Sequence, residues 1–172
     1  VTGRAPTARL PARAAASETV PAVDPARVEL IIASHRRLTG RPLALGDMPD
    51  PVRALWCSPL AVVAHGTEDD PVFFYGNRLA LRCFEMAFDA FVAMPSRLSA
   101  EPMLREERER LLERVRDEGW IGDYSGVRIA ASGRRFRIDG AIVWNLVDEQ
   151  GRHRGQAAAF AAEPPAGATG CG

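Results

Sequence analysis

Lysine is missing altogether from this chain: all 22 basic residues are arginine, and 22 acidic residues bring the net charge to zero. Arginine-for-lysine replacement, with abundant Ala, Gly and Pro, follows codon usage in a GC-rich genome. Selection for bidentate oxyanion contacts does not explain lysine-free wet helix faces. The zero net charge removes the electrostatic footprint of a nucleic-acid binder, so no nucleic-acid partner is expected. No apolar run approaches the roughly 20 residues of a membrane helix, so no membrane partner is expected either. Cysteine is scarce too. Cys57, Cys83 and Cys171 are an odd count without CxxC spacing. The first two sit in apolar segments and read as buried free thiols of a reducing compartment, which points to the cytoplasm.

Catalytic and metal motifs are equally absent. There is no HExxH and no Gly-rich phosphate loop. Tyr124-Ser125-Gly126 lies in a strand pattern rather than a Gly-x-Ser-x-Gly elbow. A hydrolase needs a nucleophile, a base and an orienting acid, and no such set is legible. The expectation is a protein without catalysis or a metal site, a small enzyme of unseen convergence being the remote alternative.

Residues 1–23 are rich in Ala, Arg and Pro, and Pro6, Pro11 and Pro21 interrupt any amphipathic helix, so they read as a disordered tail. The Pro/Gly/Ala-rich residues 163–172 read as a second tail. One domain is expected over residues 24–162, long enough to close a single core. Asp24-Pro25 is a helix start, with a capping carboxylate and a proline where no donor is needed. Val28, Ile31, Ile32 and His35 then form one apolar stripe of a helix over residues 25–38. Pro49 and Pro51 open a short segment towards Leu55-Trp56. Residues 60–65 and 72–75 are short apolar runs either side of a polar turn, a β-hairpin pattern. Asn77 stands at a helix-cap position ahead of Leu79, Cys83, Phe84 and Met86, with Phe88 and Phe91 extending the aromatic cluster. Residues 101–118 form the clearest helix, with Leu104, Leu111, Leu112 and Val115 as its stripe and Glu106–Arg110 and Arg105–Glu109 pairs on the wet side. Strand patterns follow at residues 123–131, 134–147 and 152–160. In the second, Phe136, Ile138, Ile142, Trp144 and Leu146 share one parity, which puts them on one face.

Two strands, short helices, a longer helix and three strands in meander is the order of a PAS domain. The expected fold is therefore α+β and PAS-like: about five antiparallel strands, flanking helices and an extra N-terminal helix. The residues carry a closer likeness. Ser34-His-Arg-Arg-Leu-Thr-Gly-Arg-Pro-Leu43, His65-Gly-Thr-Glu-Asp-Asp-Pro71, Phe74-Tyr-Gly-Asn-Arg78 and Pro95-Ser-Arg-Leu-Ser-Ala-Glu-Pro102 resemble the MEKHLA domain family. So do Asp123-Tyr-Ser-Gly-Val-Arg-Ile129, Ser132-Gly-Arg-Arg-Phe-Arg-Ile138 and Val143-Trp-Asn-Leu146. The likeness spans roughly residues 28–160. It implies a PAS-like fold, found alone in bacterial proteins and at the C-terminus of plant homeodomain-zipper regulators, with no agreed activity for the stand-alone bacterial type.

PAS relatives that sense light through flavin carry an Asn-Cys-Arg-like motif after the short helices. The comparable stretch here is Pro95-Ser96-Arg97-Leu98, and Ser96 cannot form a thiol–flavin adduct. For haem, His35, His65 and His153 are the only histidines, and each reads as structural or surface rather than axial. The cofactor is left open. The expected function is a sensory or regulatory domain that binds a small molecule in its core cavity, a protein partner, or both. Its candidate polar groups are Tyr75, Asn77, Arg97, Tyr124, Arg128 and Asn145, with Phe84, Met86, Phe88, Phe136 and Trp144 as walls. Val127 and Ile129 are the more natural core face of their strand, which leaves the direction of Arg128 open. The alternative is a ligand-free interaction module that homodimerises through the stripe of the N-terminal helix.

Overall fold

Residues 10–12, 14, 19–101 and 105–163 are described by the computed structural model. The chain opens with helix α1 (Pro25–Thr39), where the Asp24 carboxylate accepts from the Ala26 N–H and Gly40 closes the helix at φ 70°. Helix α2 (Pro51–Trp56) starts the same way: Asp50 accepts from Val52 and Arg53 N–H groups, and Pro51 leads. Six residues are too few for a periodic signal, so the sequence showed only the approach to Leu55-Trp56. Strands β1 (Ala61–His65) and β2 (Phe73–Gly76) form the hairpin, followed by α3 (Arg78–Phe84), α4 (Phe88–Phe91) and a 3-10 turn (Ser96–Ser99). Helix α5 (Arg105–Glu118) leads into β3 (Trp120–Ile129), β4 (Arg135–Val147) and β5 (His153–Phe160). The expected start of α5, Leu104, Leu112 and the 106–110 and 105–109 pairs lie outside the described residues and side chains. Leu111 is half-buried and Val115 is buried.

All strands pair antiparallel in the order β2-β1-β5-β4-β3, so the last strand lies between the first and the fourth. Directly paired residues share a face. One row runs Tyr75–Ala64–Ala157–Trp144–Trp120, and the neighbouring row on the other face runs Gly76–Val63–Ala158–Val143–Ile121. Two cores result. On the first face Val28 and Ile31 of α1 pack, fully buried, with Val62, Ala64, Tyr75, Trp144, Leu146, Ala157 and Ala159. Each Val, Ile or Leu side chain so withdrawn from water is worth about 1.5–3 kcal/mol. On the other, concave face Val63, Phe73, Leu81, Phe84, Phe91, Met94, Ile138 and Phe160 gather under α3 and α4.

The single-parity expectation for β4 is corrected here. Register shifts between Ile121 and Tyr124 and between Tyr124 and Gly126 accompany Gly140, which turns at φ 63°. Ile138 and Ala141 therefore both face the concave core, while Ile142, Trp144 and Leu146 face α1. An extra residue in the ladder moves every later side chain to the opposite face.

The stripe of α1 is likewise spent inside the chain. Trp144 Nε1–H donates to the Ile31 carbonyl at 3.3 Å, and Ser34 Oγ bridges the Val147 carbonyl (3.1 Å) and N–H (3.0 Å). The stripe proposed as a dimer surface is thus covered by the chain's own sheet. Within the expected first tail, Leu10 and Val20 pack against the concave core and the Ala14 N–H donates to the Glu85 carbonyl. Cys57 is disulfide-bonded and half-buried, which corrects the reading of it as a free thiol; Cys83 is free and buried. Cys171 lies outside the described residues. No helix among the described residues is long and apolar enough to cross a membrane.

Candidate functional site

A cavity of about 580 Å³ opens between the concave face of the sheet and the Ser96–Ser99 turn, α3 and α5. Its walls are apolar through the middle: Val63, Phe73, Phe84, Leu98, Leu111, Ile138, Val143 and Phe160. Polar groups stand apart from this belt. His65 and Gln156 lie side by side on β1 and β5, while Tyr124 and Arg128 lie on edge strand β3. Ser96, Arg97, Ser99 and Glu101 form the lip.

Four of the residues anticipated from the sequence border this cavity: Phe84, Arg97, Tyr124 and Arg128. Arg97 reaches out of it, its Nε donating to both Asp70 oxygens at 3.0 and 3.1 Å in a pair that is nearly half exposed. Arg128 faces in, because it pairs with Phe136 and Gly126 pairs with Ile138, both concave-side residues. The polar parity of β3, rather than Val127, thus looks into the cavity, although Ile129 borders it at the strand end. The Arg128 guanidinium sits 5.2 Å from the centre of the Tyr124 ring, and its Nη2 donates to the Tyr124 oxygen at 3.2 Å. Gly126 makes room for this unit. A β-carbon there would stand 2.8 Å from the Tyr124 oxygen.

The other candidates lie elsewhere. Met86 is fully buried in the concave core, with Phe88 and Phe136 packed around that core. Phe136 meets Phe84 edge-on at 5.2 Å and so supports the wall from behind. Asn145 donates through Nδ2 to the Val115 carbonyl at 2.9 Å and accepts from Gln156 Nε2 at 3.2 Å, tethering α5 beside the cavity. Asn77 is fully buried in structural work: Oδ1 accepts from Ala80 N–H (3.1 Å) and Val62 N–H (2.9 Å), and Nδ2 donates to the Leu60 carbonyl (2.8 Å). Tyr75 and Trp144 lie on the opposite face, under α1, for the register reason given above. Burial pushes the Tyr75 phenol above its ordinary range.

Sequence reasoning singled out Ser96 only as the place of an absent thiol, weighed Glu101 and Asp123 only as acceptors for Arg128, and missed Ser99 and Gln156. Gln156 was legible only as a strand residue; its position beside His65 follows from the β1–β5 pairing, which joins distant parts of the chain. Among the histidines, His35 is buried on the sheet-facing side of α1 and His153 is exposed on β5. His65 borders the cavity, and its Nδ1 lies 2.9 Å from the Gly66 carbonyl. The free thiol of Cys83 does not border the cavity, and burial pushes it up to about 11, away from thiolate character. Among the described residues no group of three or more His, Cys, Asp or Glu side chains has the arrangement to hold a metal ion.

The profile of the MEKHLA domain matches residues 26–163, most of the chain. The chain belongs to the MEKHLA domain family. No curated protein matches this MEKHLA chain in sequence. Its fold has solved counterparts. A PAS domain from Colwellia psychrerythraea superposes with TM-score 0.50 at 10% identity, covering 62% of this chain and 87% of its own. A light–oxygen–voltage domain studied with a flavin analogue gives 0.52 at 14% identity, covering 63% and 81%. The blue-light activated histidine kinase of Erythrobacter litoralis gives 0.51 at 16% identity, covering 64% of this chain but 35% of the kinase. At these identities the likeness is one of fold. The MEKHLA domain is PAS-like α+β, with the five-stranded antiparallel sheet and flanking helices expected of it.

Proposed function

We propose that this MEKHLA domain is a sensory or regulatory unit that holds a small molecule in the concave-face cavity and performs no catalysis. The observation that carries the reading is the cavity itself: about 580 Å³, walled by apolar side chains, with a few polar groups set at its margins. A pocket of this size and lining suits a small organic ligand. Its placement also suits signalling, since occupancy would bear on the Ser96–Ser99 turn and on α5, both of which border it. The Ala100–Arg128 bridge ties the turn to β3, and Asn145 ties α5 to β4. Adduct photochemistry is not part of the reading, because the residue comparable to the adduct cysteine of flavin-binding PAS relatives is Ser96, a lip residue without a thiol.

Native mass spectrometry and an absorption spectrum of the purified chain test the proposal. A bound small molecule should appear with the folded protein and be lost on denaturation. Filling the cavity with Ala158→Phe, on β5 beside Val63 and Val143, should release it while leaving the circular dichroism spectrum unchanged. A ligand that survives that substitution would place its site elsewhere. An empty, colourless protein that associates with rising concentration would favour the interaction module instead.

A further inference from the structure

We infer that the cavity selects a small organic anion: one oxyanion head, a carboxylate or phosphate, on an apolar body. The inference rests on the cavity being a ligand site and goes on to name the ligand's chemistry.

The charge pattern around the cavity carries it. Among the described residues three charge-bearing side chains border the cavity: Arg97, Glu101 and Arg128. Arg97 is neutralised from outside by Asp70 at 3.0 Å, and Glu101 by Arg135 at 2.7 Å. Arg128 is different. Among the described residues no carboxylate pairs with it, and its hydrogen-bonded partner is the neutral Tyr124 oxygen. Other arginines with described ion pairs, namely Arg114, Arg134, Arg137, Arg152 and Arg154, each have an acid within 3.2 Å. Among the described residues the cavity is therefore left with one uncompensated positive charge, on a half-buried guanidinium with donors to spare.

A half-buried guanidinium needs an acceptor, and an oxyanion matches its planar fork bidentately. The Tyr124 ring fixes the guanidinium plane, and the phenol, having accepted from Arg128, keeps its own hydrogen for the same anion. Beyond this head site the apolar belt of Val143, Ile138 and Phe160 would take the body.

Paired probes test the proposal on the full chain by titration calorimetry at neutral pH: decanoate against decan-1-ol, and 1-naphthaleneacetate against 1-naphthaleneethanol. In at least one pair the carboxylate should bind about tenfold or more tighter than its alcohol. Arg128→Met should bring that ratio close to one while leaving the alcohol's affinity in place; Arg128→Gln is the second variant. Arg97→Met, removing the compensated cation, should leave the ratio intact. Equal binding of acid and alcohol by the wild-type chain overturns the charge selection but keeps the cavity reading. A preference that survives both Arg128 substitutions also overturns it. Failure of all four probes to bind overturns the cavity reading, and the charge selection with it.

Discussion

Asn77 does more than cap a helix. Its backbone N–H donates to the Val62 carbonyl at 3.0 Å while its side-chain oxygen accepts from the Val62 N–H, so the residue continues the β1–β2 ladder past the end of β2. Its Nδ2 group donates to Leu60, and more weakly to Leu55 at 3.4 Å. At an ordinary N-cap, aspartate serves as well as asparagine. Here Asp would turn a buried carboxylate oxygen towards two carbonyls. Asn77→Asp should therefore cost at least as much as Asn77→Ala, about 2–3 kcal/mol in urea unfolding. A loss below 0.5 kcal/mol for the Asp variant, roughly the scatter of a neutral change, would reduce Asn77 to a simple cap. Gly155 is a second position where one atom decides the packing. At φ 134°, a β-carbon there would lie 2.0 Å from the His65 carbonyl oxygen, so only glycine lets β5 approach β1 at this point.

At the scale of elements, α1 is latched by a buried histidine. His35 Nδ1 lies 3.1 Å from the Arg41 carbonyl, which makes it the protonated nitrogen, and the ring meets Trp144 edge-on at 4.9 Å. Its Nε2 is buried without a partner. Burial holds the group below the ordinary histidine range, against a smaller upward pull from the Arg41 carbonyl. The unfolded chain takes up the proton first as pH falls. Stability is thus full above about pH 6.5, the ordinary histidine value, and declines below it towards the lower folded value. Urea midpoints between pH 7.5 and 5.5 should fall for the wild-type chain and fall less for His35→Gln. His153, also held low by desolvation, needs the matching His153→Gln control. An unchanged slope in the His35 variant would show that the histidine stays out of the transition.

A second tie joins α3 to the β3–β4 turn. Arg134 Nε donates to Glu85 at 2.9 Å and its Nη2 to the Cys83 carbonyl at 2.7 Å, with Glu85 only 8% exposed. Removing the arginine takes from a buried carboxylate its described cationic partner, so Arg134→Ala should cost about 2 kcal/mol or more. Arg137, paired with Asp139 at the surface, should be replaceable by alanine within about 0.5 kcal/mol. Equal losses for the two variants in the same unfolding assay would contradict this ranking.

For the whole molecule, the sheet separates two environments: a filled core under α1 and a hollow one under the short helices. The filled side is not optional. Removing residues 1–40 would expose Val62, Tyr75, Trp144 and Leu146 as one apolar patch. The shortened chain should self-associate in light scattering and lose its cooperative unfolding. A monomer with the wild-type midpoint would make α1 an accessory rather than a wall.

Much of this was legible residue by residue. The Asp24 and Asn77 caps, the helical stripe of α1 and the strands of the final meander follow from local chemistry, and the quoted motifs carried the family. The type and order of the longer elements are local properties, set by side-chain period and by turn residues, so the sequence alone determined them, whereas α2, α4 and the 3-10 turn are too short to carry a period. The faces were not. The bulge at Gly140 reverses the side on which Trp144 lies, and no period-2 count across it shows the reversal. Only β-pairing between residues far apart in the chain brought Gln156 beside His65 and turned Arg128 inward. The cavity and its uncompensated charge are products of that long-range pairing, and tertiary structure alone decided them.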